Sequence, residues 1–227
     1  MKSFGRCVRL GLLAASSALL LGAAGAAPMA EYEVTVTNLT RGQRFTPILV
    51  ATHKEGVRLF DLGSPASAQL KTLAEEGNVA PMTALLLGNP DVLDVVNSGA
   101  LLNPGSSMTQ RVRTQGAFDN VSVAAMLIPT NDGFFAVNDL EGPNGQNSVT
   151  VFSPAYDAGT ERNDETCASI PGPNFAECGG PGSGGAPGGG EGHVHIHAGI
   201  HGIGDFDPAF RDWRNPVARI TIRRVMR

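Results

Sequence analysis

Residues 121–129 read Val-Ser-Val-Ala-Ala-Met-Leu-Ile-Pro, a nearly continuous apolar run. A run of this length and composition is suited to a central strand of a sheet. Outward from it the dominant period is two. Tyr32-Glu33-Val34-Thr35-Val36-Thr37 alternates, as does Met108 to Thr114, and Phe45 to Thr52 is apolar and β-branched. Ser148 to Phe152, His193 to Ile200 and Val217 to Val225 complete the predicted strands. Two short helices interrupt them. Ser64-Pro65 supplies an N-cap and a first-turn proline for residues 66–76, and residues 81–87 follow the Gly77-Asn78 turn. Residues 90–96 fit a helical turn or a strand equally well. Strands at both ends of a small helical excursion predict an all-β fold with short helical insertions, an antiparallel β-sandwich.

The N-terminus has the layout of a secretory signal peptide. Lys2, Arg6 and Arg9 precede the apolar run Leu10 to Leu21, and Ala24-Gly25-Ala26 offers a small-x-small cleavage site. Cleavage after Ala26 divides the chain into a signal peptide, 1–26, and a single domain, 27–227. Cys7 lies before the apolar run, not at its end, so it is not placed as a lipid-anchoring cysteine. No second apolar segment reaches the roughly 18 residues needed to span a bilayer, so the expected location is periplasmic or extracellular. Without the leader, Lys plus Arg falls from 17 to 14 against 21 Asp plus Glu, and the formal charge moves from −4 to −7. An acidic exported domain has no electrostatic reason to bind nucleic acid. Cys167 and Cys178 are expected to form a disulfide in that oxidising compartment. Residues 179–192, Gly-Gly-Pro-Gly-Ser-Gly-Gly-Ala-Pro-Gly-Gly-Gly-Glu-Gly, read as a long flexible loop, because the roughly 35 residues after it are too few to bury a core alone.

Two clusters carry chemistry. His193, His195, His197 and His201 are four of the five histidines in the chain. On an extended strand His193, His195 and His197 share one face, and Val194 and Ile196 are predicted to face the core. Such a face serves either as a metal surface or as an ordinary solvated exterior. The second cluster is acidic. Pro129-Thr130-Asn131-Asp132-Gly133 follows the long central strand, and Asp157-Ala158-Gly159-Thr160-Glu161 follows another. If both loops lie at one end of the sandwich, Asp132, Asp157 and Glu161 form an oxygen-only site of the kind Ca²⁺ takes.

Several motifs occur in one order along the chain. They are Phe45-Thr46-Pro47-Ile48, Ala51-Thr52-His53, Leu73-Ala74-Glu75-Glu76-Gly77-Asn78, Met126 to Asp132, Asp157 to Glu161, and Pro216-Val217-Ala218-Arg219-Ile220. Together they resemble the spondin N-terminal domain family, most closely its bacterial exported members. The resemblance implies a C2-like antiparallel β-sandwich. It also implies a calcium site in which Asp132 matches the acid of a Pro-Ser-Pro-Asp turn and Asp157 the first acid of Asp-Ala-Gly-Thr-Asp. Glu161 stands where the second acid of that motif is Asp, and Asn131 where proline is usual. Animal members of the family are matrix and adhesion proteins, so the implied role is binding without catalysis, with an extracellular protein, glycan or matrix polymer as partner.

A metalloenzyme is the competing expectation. His193-Val194-His195 followed by Gly202-Ile203-Gly204-Asp205 looks like the copper-ligand strand of Cu,Zn superoxide dismutases, although only His201 follows of the further histidines such an enzyme needs. His53, His193, His195, His197 and His201 are then the candidate ligands for Cu²⁺ or Zn²⁺, with His53 joining if its strand neighbours that of His193.

Overall fold

The computed structural model describes residues 1, 28–172, 175, 177, 178, 185, 186 and 189–226. The predicted signal peptide, apart from Met1, and residues 179–184, 187 and 188 of the Gly-rich loop lie outside the described residues.

The strands, in chain order, are β1 Ala30–Asn38, β2 Arg44–Phe45, β3 Leu49–His53, β4 Val92–Asn97, β5 Ser107–Thr114, β6 Asn120–Ile128, β7 Gly133–Glu141, β8 Ser148–Ser153, β9 Ala155–Asp157, β10 His195–Ile196 and β11 Ala218–Met226. Helices α1 Ala68–Glu76 and α2 Ala80–Leu87 fall between β3 and β4, and α3 Pro208–Arg211 precedes β11. One sheet runs β5-β1-β11-β8; the other runs β10-β9-β7-β6-β3-β4, with β2 paired onto β6. Every pairing is antiparallel. The expected all-β sandwich with short helices is what the chain forms.

The two kinds of strand follow from what covers each face. β1 alternates between buried and half-buried positions, with Tyr32, Val34 and Val36 inward, because only one side meets the opposite sheet. β6 is buried at all nine positions. Val121, Val123 and Ala125 enter the core between the sheets with Phe45, Val50 and Phe135. Ala124 faces the other way, joining Leu49, Ala51 and Phe134 beneath Leu70, Leu73, Met82 and Leu86 of the helices. A strand covered on both sides has no solvent face to carry polar residues, which explains the unbroken apolar run.

The structure departs from the sequence pattern in several places. Residues 45–52 split into β2 and β3 around Pro47, which has no N–H for the ladder. Helix α1 begins at Ala68, with the Ser67 hydroxyl accepting from the Leu70 amide at 3.1 Å. Ser64, the expected cap, is engaged elsewhere: its carbonyl accepts from Val194 N, and Gly63 N donates to the Val194 carbonyl, both at 2.8 Å. Residues 90–96 resolve mainly into strand β4, paired with β3. Strands β7 and β9 and helix α3 went unassigned, hidden behind turn-forming residues or too short to show a period.

The predicted strand 193–200 shrinks to His195–Ile196, and this changes which side chains are buried. Val194 is fully buried against the helix-covered face, as expected. Ile196 is 45 % exposed, against expectation, while His197 is only 4 % exposed. A two-residue pairing cannot carry a period of two across five positions. Val194→Asp is therefore expected to cost more than about 3 kcal/mol in denaturant unfolding, because it buries an unpaired charge. Ile196→Asp should stay within about 0.5 kcal/mol of the parent. Equal and severe losses at both positions would contradict this orientation.

Candidate metal centre

The turn between β6 and β7 carries Asn131 and Asp132, both buried. The Thr130 hydroxyl closes this turn by accepting from Gly133 N at 3.0 Å. Gly133 then pairs with Asp157 of β9, and Asp157 pairs on its other side with His195 of β10. The acidic turn, the Asp157 loop and the histidine segment thus lie side by side along one edge of the larger sheet. Two groups read from sequence as rival sites occupy one place.

The hydrogen bonding is uneven. Asp132 Oδ2 accepts from Thr160 N at 2.7 Å, Thr160 Oγ1 at 3.1 Å and Glu161 N at 3.1 Å, which fastens the Asp157 loop to the turn. Asp157 Oδ1 accepts from Gly159 N at 2.7 Å and Oδ2 from Asn163 Nδ2 at 2.6 Å. Asp132 Oδ1 and Glu161 Oε2 are buried with no hydrogen-bond partner among the described residues. Burial disfavours the ionised forms. It raises Asp132 to about 6, with the nearby Asp157 charge adding to the effect, and raises Asp157 as well. Glu161 is raised to about 7, by burial and then by the charge of Glu75 at the end of α1.

Asp157 is also where the histidines converge. His195 Nδ1 lies 3.9 Å from Asp157 Oδ1, and His197 Nε2 lies 4.0 Å from Oδ2. Among the described residues, Asp157, Glu191 and His195 form the one trio whose donor atoms all lie within 4.8 Å of one another. The Asp132, Asp157 and Glu161 set is more open. His197 is held neutral, its pKa depressed to about 4 by burial. Its Nδ1 accepts from Gly199 N at 3.0 Å, so the proton sits on Nε2 and that nitrogen presents an N–H, not a lone pair, to Asp157.

The other histidines stand apart. His53 is fully buried in β3, its Nε2 2.8 Å from Ser122 Oγ and its Nδ1 2.8 Å from the Lys54 carbonyl. Strands β6, β7 and β9 separate it from β10. His193 is exposed, its ring centroid 5.3 Å from that of His195. His201 is exposed, and only its backbone is anchored: Glu165 accepts from His201 N at 2.6 Å, Gly202 N at 2.7 Å and Ile203 N at 3.1 Å. Cys167 and Cys178 are disulfide-bonded with their Cα atoms 5.6 Å apart, and Cys167 N donates to Asp205. The bridge closes a short loop between the acidic loop and the Gly-rich stretch, and the Cys167 amide hydrogen bond to Asp205 ties that loop to the chain leaving the histidine segment.

Sequence reading missed Glu191, Glu75 and the burial of His197 beside Asp157. Glu75 sits in the Leu73-to-Asn78 motif, and Glu191 opens the histidine run, but nothing in their spacing announces that Glu75 lies near Glu161 or Glu191 near Asp157. Within the Gly-rich loop Gly190 packs closely, while a Cβ on Gly189 or Gly192 would meet nothing within 4 Å. A Cβ on Gly190 would come within 2.5 Å of the Gly159 backbone and 2.6 Å of the Glu161 carbonyl. Gly159 itself has φ +66°, and a Cβ there would stand 2.3 Å from the His193 carbonyl. Gly159→Ala should therefore destabilise by about 1–3 kcal/mol in denaturant unfolding and loosen the histidine segment; a loss under about 0.5 kcal/mol would contradict the close approach.

Among the described residues no helix is long and apolar enough to cross a membrane. No curated protein matches the chain significantly. A family model described as Spondin_N matches residues 35–171, a segment that holds Asp132, Asp157 and Glu161 and ends before Glu191 and the histidine run. More than half of its length being matched, the chain belongs to the Spondin_N family.

Proposed function

We propose that this protein is an exported spondin-type binding module whose acidic loops are organised by one Ca²⁺ held by Asp132, Asp157 and Glu161, and that it acts by binding an extracellular protein or glycan, not by catalysis. The observation that carries this reading is the pair of buried, unpartnered oxygens, Asp132 Oδ1 and Glu161 Oε2. Each carboxylate is otherwise hydrogen-bonded, Asp132 by Thr160 and the Glu161 amide, and Glu161 by the Ala186 amide and Asn131, so the uncompensated part is one buried oxygen on each, which a hard cation would satisfy. Calcium bonds of about 2.3–2.6 Å bring opposed ligand oxygens to roughly 5 Å, so the three carboxylates, whose oxygens do not all lie within 4.8 Å of one another, reach that spacing as the cation binds. Glu161 in place of Asp is accommodated by the same flexibility. Export is supported by the leader-type N-terminus and by the disulfide.

The carboxyl shifts give this reading a pH signature. Asp132 and Glu161 titrate near 6 and 7 when folded, against 3.8 and 4.5 ordinarily. The cation-free fold therefore takes up protons, and its stability falls as pH rises from about 4 to 7. Calcium requires the ionised ligands and compensates most above that window. At pH 8 and a hundredfold excess over Kd, calcium is expected to raise Tm by about 5–10 °C, and the increment should fade near pH 5. Asp157→Asn should remove most of it. Trp213, the single tryptophan, has its ring 5.0 Å from that of His197 and offers a parallel fluorescence readout. A wild-type Tm and Trp213 emission indifferent to calcium and chelator at pH 8 would refute the assignment.

A further inference from the structure

We propose that Asp157, Glu191 and His195 form a second cation seat, for a divalent first-row transition metal such as Zn²⁺, which shares the Asp157 carboxylate with the calcium set. Their donor atoms already lie within 4.8 Å of one another. Zinc bonds of about 2.0–2.1 Å place tetrahedral donors roughly 3.4 Å apart, so a small contraction completes three protein ligands. An imidazole nitrogen beside two carboxylates favours zinc or copper over calcium, which takes oxygen ligands.

His195 Nδ1 is the ring nitrogen on the Asp157 side, 3.9 Å from Oδ1, and it also lies 3.1 Å from the His193 carbonyl. To ligate through Nδ1 the ring must leave that carbonyl and carry its proton on Nε2, so cation binding exchanges a neutral hydrogen bond for a metal bond. Two further features support a built site. His197, 4 % exposed, has Nε2 4.0 Å from Asp157 Oδ2 and without a hydrogen-bond partner among the described residues, so a buried polar group stands on one side of Asp157 while the more exposed His195 and Glu191 stand on the other. His195 and Glu191 are partly or fully exposed, which leaves an entry path and an open coordination position. The seat does not depend on the calcium reading; only the sharing of Asp157 links the two.

The test is a Zn²⁺ titration of untagged, chelator-treated protein by calorimetry, run beside the calcium thermal shift. The wild type should bind one Zn²⁺. His195→Gln should weaken binding roughly tenfold or more, and Glu191→Gln several-fold, while His201→Gln binds as the wild type does. His195→Gln should retain the calcium-dependent rise in Tm. A wild type that takes up no zinc overturns the seat, whatever calcium does, and so does a His195→Gln variant that binds zinc as the wild type does. Zinc uptake lost in His195→Gln, in a wild type with no calcium response, upholds the seat and removes the calcium reading instead.

Discussion

The burial of β6 on both faces is the constraint from which the rest of the structure follows. Nine consecutive buried positions require a second sheet on one side and a helical cover on the other. The helices therefore return over the larger sheet, and the smaller sheet must be assembled from strands distant in sequence, β1 with β11 and β5, and β11 with β8. Because the β6 to β7 turn grows directly out of this clamped strand, Asp132 is placed with little freedom. The site is anchored on a strand buried at every position.

Against that fixed point the remaining loops are fastened by charge and backbone geometry. One Asp132 oxygen gathers two amides and a hydroxyl of the Asp157 loop, and its other oxygen is buried without a hydrogen-bond partner among the described residues. Like charges brought together out of water raise one another's pKa and oppose folding unless a cation joins them. The glycines at 159 and 190 let the histidine segment and the Gly-rich stretch approach the acids more closely than any side chain would permit. Glu165 holds the chain leaving the histidine segment, and the Cys167–Cys178 bridge closes the stretch between the Asp157 loop and the Gly-rich loop.

Much of the sheet framework was legible from local pattern, because alternation in Tyr32 to Thr37 and continuity in Val121 to Ile128 report directly on one-sided and two-sided burial. The acid positions were legible through motifs, since Asp132, Asp157 and Glu161 follow strands at turns. What was not legible is tertiary. Nothing in the local pattern shows that His195 pairs with Asp157, since the register between β9 and β10 is set by a connection of 37 residues, 158–194. The orientation of Ile196 failed for a related reason: the strand is too short to impose its period. His53 looked available as a ligand, yet its ring is held by Ser122 and the Lys54 carbonyl, partners that only the paired sheet reveals.

The central claim is that the buried acids of the two loops share a cation. A crystal structure of the protein grown with calcium at neutral pH or above, with the ion identified by its anomalous signal, tests it most directly. One ion bonded at about 2.3–2.6 Å to carboxylate oxygens of Asp132, Asp157 and Glu161 is the predicted result. Well-ordered acidic loops with no ion between these three side chains, or with calcium bound only elsewhere, would contradict it.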